Sequence, residues 1–580
     1  MALALPSLFA GYAIDDHMMR VAAGRVRLPC VPSTRWDLFV FIADDPACRS
    51  ELMAAGILPW WTAPGLHVAF FRPISSATHA LDHLLWPDEV WLMHAQSLLW
   101  FGLMLGAAAA AYRAFHPGPV AAVAALLYSV DDAHGVAAGW LSNRNALLAC
   151  AFGMSALVAH ARWRQSGWRP GAVAAGVLLA LSLLSAEAGV ATCAYLFAYA
   201  AFLDRGSWRS RFVSLVPYGV LVVVWQAASR WLGYGAYGSD LYVDPANAPG
   251  AFATAVVTRL PVLLFASLGL PVADLWPLLH DSYRSILLAA AMVGLALIAV
   301  VVTPLLRRDA HARFFALGMV LAAIPVSATF PSDRLLTFVD VGAMGLVASF
   351  LCAQHSALAA RVLGALWLAI HIGLAALLLP VRSLAMGNLG GQLERTLMTL
   401  GGAPGLAGRD VVFVNPPTDF FPVYLPVLSQ LEGKPQPEHT RPLALGQGPI
   451  TLTREDERTL VLSRQAGLFS EAGERLLRSS RMPMTPGERI PLPGMTITVT
   501  EVTARGLPRA VRFVFPKALE DPSYLWVAWT AGPGGTFRPP EIGQTATLPA
   551  ASFGNVFAPA TSEPAPVNLE PAPRVMKSPS

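Results

Sequence analysis

The stretch RSILLAAAMVGLALIAVVVTPL, residues 284–305, decides the fold. After its first residue it carries no charge, and its length matches the roughly 20 residues that a helix needs to cross a bilayer. Lipid offers no partners for backbone polar groups, so such a run should be a membrane-spanning helix. Asp281 precedes it and Arg307 and Arg308 follow it. Because arginine-rich loops favour the cytoplasm, the helix is predicted to run inward from the outer face.

Similar apolar runs recur over the first two thirds of the chain. The 580 residues are 55% hydrophobic and 13% charged, whereas soluble proteins carry roughly 25% charged residues. The formal charge of +4 is segregated by sign along the chain and therefore says little about nucleic acid. Besides 284–305, we predict spanning helices at 93–112, 118–130, 145–161, 171–186, 188–203, 213–231, 314–329, 335–353 and 361–380.

Two apolar segments are less regular. Residues 1–14 are predicted to end a first spanning helix rather than form a signal peptide, since no cleavage site follows them, and a misassigned start codon would account for their shortness. Residues 258–280 are broken by Pro261, Pro271 and Pro277, which favours a re-entrant or interfacial hairpin.

The loop charges alternate if 258–280 does not cross, and this gives about eleven spanning helices with the C-terminus outside. The predicted cytoplasmic loops carry Arg113, Arg162, Arg164, Arg169, Arg205, Arg209, Arg211, Arg307, Arg308, Arg313 and Arg361. The predicted outer loops carry Asp15, Asp16, Asp44, Asp45, Asp82, Asp88, Glu89, Asp131, Asp132, Glu187, Asp240, Asp244, Asp274, Asp281 and Asp333.

The fold class is therefore a polytopic α-helical membrane protein with a C-terminal β-rich extracytoplasmic domain. The membrane domain is predicted at 1–385, with outer loops at 15–92 and 232–283. Strand-like runs at 410–415, 450–453, 495–502, 510–515 and 524–529 predict a soluble domain at 402–554. Residues 555–580 are rich in Pro, Ala and Ser and are predicted to be disordered.

The first outer loop contains features of its own. Cys30 and Cys48 could form a disulfide if it faces an oxidising compartment, and the pair Trp60 and Trp61 is expected at the level of the lipid headgroups.

Ionisable groups at the membrane boundary are costly and tend to be functional. The adjacent carboxylates Asp15 and Asp16 are the strongest such signal, although a solvated loop start would look the same. Other polar side chains also fall on the predicted outer side: His17, Arg72, His94, Asp131, Asp132, His134, Asn143, Arg144, Glu187, Asp333 and Arg334.

The order of these motifs resembles the GT-C superfamily of membrane glycosyltransferases. An aspartate pair follows the first helix, Arg72-Pro73 precedes the second, His94 lies within it, and Trp140-x-x-x-Arg144 opens the fourth. The nearest resemblance is to bacterial cousins of the transmembrane O-mannosyltransferases that carry tetratricopeptide repeats, over residues 1–355. The repeats are absent here, and Ala186 stands where relatives often have Lys.

The resemblance implies inverting transfer of a sugar from a polyprenyl-phosphate donor to a hydroxyl of an unknown protein or glycan acceptor, outside a bacterial-type inner (plasma) membrane. Asp15 or Asp16 would act as the base, because a paired carboxylate can have its pKa raised by its neighbour. Arg72, Arg144 and Arg334 would bind the donor phosphate. The pocket would contain His17, His94, Asp131, Asp132, His134, Asn143, Glu187 and Asp333.

Several alternatives stay open. No cofactor is required, but the acidic cluster could hold a divalent metal that stabilises the phosphate. Arg72 could instead extend to lipid headgroups, Arg144 could pair with Asp131 or Asp132, and the histidines could be structural. The chain as a whole could also be a non-catalytic membrane scaffold or a lipid or solute transporter. Transport would favour ionisable residues near the bilayer midplane, whereas these lie toward one face.

Overall fold

The computed structural model describes residues 1–31, 34, 36–401, 406–530, 534–551, 554 and 568–571. A helical membrane domain is followed by a strand-rich domain, as predicted. The α-helices are α1 Asp15–Ala22, α2 Pro46–Ala55, α3 Pro73–Leu85, α4 Val90–Phe115, α5 Gly118–Val130, α6 His134–Gly139, α7 Arg144–Ser166, α8 Pro170–Ser185, α9 Ala191–Phe202, α10 Trp208–Trp231, α11 Pro249–Leu268, α12 Asp281–Arg308, α13 Ala310–Val326, α14 Thr337–Leu351, α15 Leu358–Leu368, α16 Ala375–Gly401 and α17 Phe420–Leu431.

Among the described residues, six helical stretches are long and apolar enough to cross a membrane. They are Val90–Phe115, Leu141–Ser166, Trp208–Trp231, Pro249–Leu268, Asp281–Arg308 and Leu358–Leu400. The shorter helices α5, α8, α9, α13 and α14 contribute to the same apolar core. The predicted polytopic helical class is confirmed, and the count of eleven crossings stays a prediction.

The two ends of α4 each lie beside an arginine. At one end, the Met93 carbonyl accepts a hydrogen bond from Arg144. At its other end, Phe115 packs against Phe314, and nearby Arg164 binds Asp204. Met93 and Phe115 are 22 positions apart, which corresponds to about 33 Å of helix. The alternation of loop charges and the compartment that each end faces stay predictions.

The N-terminal segment is shorter and tighter than an end of a spanning α-helix. Ala2–Phe9 forms a 3-10 helix with Pro6 inside it. The chain then passes close to α16: a Cβ on Gly387 would lie 2.0 Å from the carbonyl oxygen of Ala10. Glycine is needed at that position because the two backbones are in contact there.

The segment predicted to be re-entrant contains a longer helix than expected, α11 at Pro249–Leu268, followed by a short 3-10 helix at Ala273–Leu278. Both of its flanks contact the connection at 327–333. Before the helix, the Val243 N–H donates to the Ala328 carbonyl, and after it the Ala273 N–H donates to Asp333 at 2.7 Å. These contacts are those expected if both ends of the segment lie on one side, and re-entrance stays a prediction.

The last membrane helix extends well beyond the predicted 361–380. Leu358–Leu368 continues through a π-helical turn at Ala369–Leu374 into Ala375–Gly401. Leu393 and Leu397 at its far end belong to the core of the soluble domain. The helix therefore passes directly from one domain into the other.

The soluble domain combines two sheets, and each predicted strand run is found in it. One sheet has the order β14-β13-β6-β7-β10-β9-β8 and is antiparallel, and the other has the order β12-β11-β4-β5. In the second sheet β4 and β5 are parallel and α17 connects them. The strands are β4 Asp410–Phe413, β5 His439–Pro442, β6 Ile450–Arg454, β7 Thr459–Ser463, β8 Arg489–Leu492, β9 Met495–Val502, β10 Pro508–Val514, β11 Tyr524–Ala528, β12 Gly535–Thr536, β13 Gln544–Leu548 and β14 Asn568–Pro571.

The tail at 555–580 was predicted to be disordered, but Asn568–Pro571 within it forms strand β14, which pairs with β13. Apart from 568–571, that tail lies outside the described residues.

The first outer loop docks on the soluble domain instead of lying on the membrane. Trp60 and Trp61 are at most 1% exposed. Trp60 packs against Phe469 and Phe513, and its indole N–H donates to the Leu443 carbonyl at 3.0 Å. The expectation of headgroup tryptophans was wrong, because the soluble core buries both rings and supplies a carbonyl acceptor for the Trp60 N–H.

The disulfide expected as one alternative is present between Cys30 and Cys48. It joins the loop to α2, which contributes Leu52 to the same core.

A small sheet joins the two large outer loops. It has the order β1-β2-β3, with β1 Val40–Ile42, β2 His67–Ala69 and β3 Gly235–Tyr237. Arg72 follows β2 and Tyr242 follows β3, so the sheet brings these two side chains to one region.

Candidate active site

Asp15 and Asp16 begin α1 directly after a strained residue. Ile14 has φ 41°, a conformation that costs a β-branched residue steric energy. Such strain persists only where the surrounding structure enforces it, and it is concentrated at functional sites. The first turn of α1 also presents the positive end of the helix dipole to both carboxylates.

Asp16 fixes α1 on the turn at 141–143. Its carboxylate accepts hydrogen bonds from the Ala13 N–H (2.8 Å), the Ser142 N–H (2.8 Å) and the Ser142 hydroxyl. The side chain is buried, and burial raises the pKa of Asp16 to about 7. These bonds occupy both carboxylate oxygens, so Asp16 is suited to positioning α1 rather than to contacting a substrate.

Asp15 differs from its neighbour, because none of the described residues donates a hydrogen bond to its side chain. The nearest charges that act on it are the guanidinium groups of Arg334 and Arg72. Burial raises the pKa of Asp15 to about 6, while the two arginines act in the opposite direction. At neutral pH the group is therefore mainly ionised, with oxygens that are open to a proton donor.

Arg72 and Glu187 form an ion pair across the site. Arg72 donates from Nε at 2.9 Å and from Nη2 at 2.7 Å to the same Glu187 oxygen. The guanidinium also lies over the rings of Phe70 and Phe39, at 4.4 and 5.0 Å. The aromatic rings and the carboxylate hold the planar group in one orientation.

Arg334 is held much more lightly. It donates from Nη1 to the Asn143 side-chain oxygen at 3.3 Å and lies over the rings of Trp140 (5.2 Å) and Phe330 (5.7 Å). Within the described part of the chain, no carboxylate forms an ion pair with it. Most of its donors are therefore available to an anion.

The structure adds Tyr242, which sequence reasoning missed. Its ring packs edge-on against Phe70 at 5.4 Å, and its backbone pairs with Thr329. It lies close enough to Asp15, Arg72, Glu187 and Arg334 for their charges to influence its hydroxyl, whose pKa is raised chiefly by burial. No sequence signal distinguished this tyrosine, since it is brought in by the small sheet.

Five predicted residues thus meet at one end of the bundle: Asp15, Arg72, Asn143, Glu187 and Arg334. We call these residues together with Tyr242 the outer cluster. It combines an unpartnered carboxylate with two guanidinium groups, as required to accept a proton beside a phosphate.

The prediction that Arg144 binds phosphate needs correction. Arg144 is fully buried and pairs with the equally buried Asp82 at 2.6 Å. Its remaining donors bind the Ser97 hydroxyl, the Gln96 side chain and the Met93 carbonyl. It also does not pair with Asp131 or Asp132. With these partners it connects α7 to α3 and α4 and cannot face a substrate.

Asp132 and Asp333 belong to a second ionic cluster, centred on Arg382 of α16. Arg382 contacts Asp132 at 2.7 Å and Asp333 at 2.6 Å, and it also bonds Asp274. Asp131 is buried beside this cluster and accepts a hydrogen bond from the Ala133 N–H at 3.1 Å, just before α6. Arg382 was missed because a single arginine at the end of a predicted helix looks like a boundary residue.

The three histidines lie in structural positions, which was one of the alternatives considered from the sequence. His94 bonds the Gly11 carbonyl at 2.9 Å. His134 is buried against the ring of Tyr128 at 4.4 Å. His17 lies between Tyr12 and Tyr424, where burial lowers its pKa to about 3. None of them belongs to the outer cluster.

The divalent metal that the acidic residues could hold stays a prediction. The described residues contain no group of three or more His, Cys, Asp and Glu side chains that could hold a metal ion. Glu187 is bonded to Arg72, and Asp15 faces two guanidinium groups whose charge opposes a divalent cation.

No family model and no curated protein matches the chain. Solved structures do. ArnT from Cupriavidus metallidurans bound to undecaprenyl phosphate is 14% identical with a TM-score of 0.38, over 76% of this chain and 88% of that one. The Archaeoglobus fulgidus oligosaccharyltransferase AglB, in complex with an inhibitory peptide and a dolichol-phosphate, is 13% identical with a TM-score of 0.40, over 74% and 64%.

The resemblance to GT-C membrane glycosyltransferases rests on the order of the sequence motifs and stays a prediction. An A. fulgidus oligosaccharyltransferase structure with Zn and sulfate also matches, at 13% identity and a TM-score of 0.29, over 75% of this chain and 63% of that one. The finer resemblance to mannosyltransferases with tetratricopeptide repeats stays a prediction.

Proposed function

We propose that the chain is a membrane glycosyltransferase that moves a sugar from a polyprenyl-phosphate donor to an acceptor hydroxyl. The observation that carries the proposal is Asp15, a buried carboxylate without a hydrogen-bond partner among the described residues, whose pKa is lowered by the charges of Arg334 and Arg72 against the effect of burial. The donor class is taken from the motif order that resembles GT-C transferases. Undecaprenyl phosphate and a dolichol-phosphate are present in the ArnT and AglB structures.

The chemistry assigns each group a step. Asp15 takes the proton of the acceptor hydroxyl as its oxygen bonds to the anomeric carbon, and the bond from that carbon to the phosphate oxygen breaks. The sugar is inverted because attack and departure occur on opposite faces. The leaving phosphate gains charge, which Arg334 and Arg72 stabilise. Removing one such donor typically costs about 3 kcal/mol of transition-state stabilisation.

The same proposal includes the orientation of the protein. The outer cluster and the soluble domain would face the outside of a bacterial-type inner membrane. In support, the disulfide between Cys30 and Cys48 lies in the first outer loop, and disulfides persist in oxidising compartments. The membrane domain at 1–385 and the soluble domain at 402–554 remain the proposed limits.

The test compares single carboxylate variants in purified full-length protein. Asp15→Asn should abolish release of polyprenyl phosphate from a panel of radiolabelled polyprenyl-phosphate sugars, while leaving the circular dichroism spectrum unchanged. Asp88→Asn is the matched control, because Asp88 is exposed in the same loop. Full activity in Asp15→Asn would contradict the role of the base. An inactive parent protein across all donors and acceptors would favour the non-catalytic scaffold.

A further inference from the structure

A cavity of about 750 Å³ lies between α11, the segment 276–284 and the soluble-domain segment 472–481. Its volume is within the range of sites that take ligands of several hundred daltons. The first half of α11 forms one wall, so the cavity lies where the membrane domain meets the soluble domain. Neither the outer cluster nor the ionic cluster around Arg382 contributes a side chain to its lining.

The cavity carries excess positive charge. Four arginines line it, Arg259, Arg284, Arg475 and Arg481, against two aspartates, Asp240 and Asp281, which leaves a net charge of +2. Arg284 and Arg475 share Asp281, at 2.7 and 3.9 Å.

Asp240 is already bonded by the hydroxyls of Ser479 and Ser480 and lies 4.0 Å from Arg481. The carboxylate oxygens of Asp240 are therefore already occupied by hydrogen bonds from hydroxyl groups of the soluble domain.

Arg259 is the lining residue whose contacts best suit it to bind an anion. Its two Nη groups donate only to carbonyl oxygens, of Ser327 at 3.2 Å and Asp240 at 3.3 Å. In the part of the chain that the structure describes, it forms no ion pair with a carboxylate. A partly buried guanidinium without a counter-ion is costly, and an anion bound in the cavity would remove that cost.

The remaining wall is apolar and leads toward the outer cluster. Val243, Ala255, Trp276 and Phe330 line it. Arg334 lies over the same Phe330 ring at 5.7 Å, and Tyr242 lies between the lining residues Leu241 and Val243. Phe330 therefore borders both the cavity and Arg334 of the outer cluster.

We propose that this cavity binds the acceptor, and that the acceptor is an anionic amphiphile carrying a phosphate or carboxylate beside an apolar portion. The proposal rests on the proposed function, because the outer cluster already supplies two guanidinium groups for the donor phosphate. A second, separate set of arginines indicates a second anionic substrate. The apolar wall takes the acyl or other hydrocarbon part at the membrane boundary.

The test measures binding without catalysis. Purified full-length protein is titrated with hexadecyl phosphate and with hexadecyl maltoside, a neutral amphiphile of the same chain length, and the dissociation constants are read by native mass spectrometry. We expect tighter binding of the phosphate. Arg259→Gln and Arg481→Gln should each weaken it about tenfold, as loss of one charge-assisted hydrogen bond would. Arg259→Lys should recover part of the loss.

Controls separate this site from the donor site. Arg489→Gln, on an exposed strand position outside the lining, should leave binding unchanged. Equal binding of the two amphiphiles, or unchanged binding in Arg259→Gln, overturns the site. Displacement of hexadecyl phosphate by undecaprenyl phosphate assigns the cavity to the donor and overturns the acceptor role. Arg259-dependent binding without sugar transfer supports the site while contradicting the proposed function.

Discussion

Arg72 donates two hydrogen bonds to one oxygen of Glu187, although 115 residues separate them in the chain. Arg72 immediately precedes α3 in the first outer loop, and Glu187 begins the turn before α9. Their contact brings a loop and a helix junction together beside Asp15. It also requires the aspartate pair and Glu187 to lie at the same end of the bundle, which the proposed reaction needs.

The geometry of this pair predicts that charge alone is insufficient at position 72. Arg72→Lys keeps the positive charge but loses the planar fork that bonds Glu187 and faces the donor. We expect kcat/KM for the donor to fall by roughly 100-fold, consistent with loss of about 3 kcal/mol of stabilisation. Steady-state kinetics with a radiolabelled donor measure this. Arg230→Lys serves as the control, because Arg230 is the more exposed arginine and pairs with Asp244 outside the outer cluster. Equal effects in both variants would contradict the prediction.

The pKa of Asp15 predicts how activity depends on pH. A general base works only when ionised, and burial raises the pKa of Asp15 to about 6. Activity should therefore fall as pH drops through about 6 and reach a plateau above it. Arg334 acts to lower this pKa, so Arg334→Gln should move the inflection of kcat/KM to higher pH as well as lowering the plateau. If the inflection of kcat/KM stays at the same pH in Arg334→Gln, the charge of Arg334 does not act on Asp15.

The raised pKa of Asp15 also predicts that this residue lowers the stability of the fold while serving activity. The folded pKa of about 6 exceeds the ordinary value of 3.8, so the folded state holds the proton more tightly than the unfolded state. Stability is thus lost as pH rises from about 4 to about 6 and stays lower above that range. Asp15→Asn should then raise the free energy of unfolding at pH 7.5 by up to about 3 kcal/mol, with no gain near pH 4. Thermal unfolding of the inactive variant at both pH values tests this.

The helices and strands were largely predictable, because their signals are local. An apolar run such as 284–305 has one stable form in lipid, and α12 was found at Asp281–Arg308. The strand predicted at 495–502 is β9, whose buried side chains alternate along the sheet. The docking of Trp60 and Trp61 depends instead on long-range contacts with the soluble domain. Their local sequence does not distinguish a buried pair from a pair at a membrane surface.

The candidate site was predictable in membership but not in detail. Charged groups are costly at a membrane boundary, and the predicted topology places several of them on one side. These two arguments identified Asp15, Arg72, Glu187 and Arg334. The pattern of residues could not distinguish Asp15 from Asp16, because the difference lies in hydrogen bonds from Ser142. It also could not assign Arg144 to Asp82, since 62 residues separate that pair and other carboxylates were equally plausible partners.

The buried pair of Arg144 and Asp82 should contribute to folding rather than catalysis. Asp82→Ala leaves the fully buried Arg144 guanidinium without its carboxylate, which should lower the free energy of unfolding by about 3–5 kcal/mol. Glu455→Ala removes the partner of Arg512 at an exposed pair and should cost at most about 1 kcal/mol. Chemical denaturation of the two variants compares them directly. Equal losses of stability would show that Arg144 is held by its other hydrogen bonds.

The proposed orientation predicts which cysteines a membrane-impermeant maleimide can reach in intact cells. Cys352 is exposed and follows α14, near Ser349, whose hydroxyl lies 3.5 Å from His116 at the arginine-rich end. It should react only after the membrane is permeabilised. A cysteine introduced by Arg489→Cys, in the soluble domain, should react without permeabilisation.

The native disulfide and the buried cysteine supply the internal controls for that experiment. Cys30 and Cys48 should resist labelling until a reductant is added, whereas Cys150 is buried and should stay unlabelled under both conditions. Labelling of Cys352 in intact cells, with protection of the cysteine from Arg489→Cys, would invert the proposed orientation. Asp15 would then face the cytoplasm, and transfer at the outer face would be impossible because the outer cluster and Cys352 lie at opposite ends of the bundle.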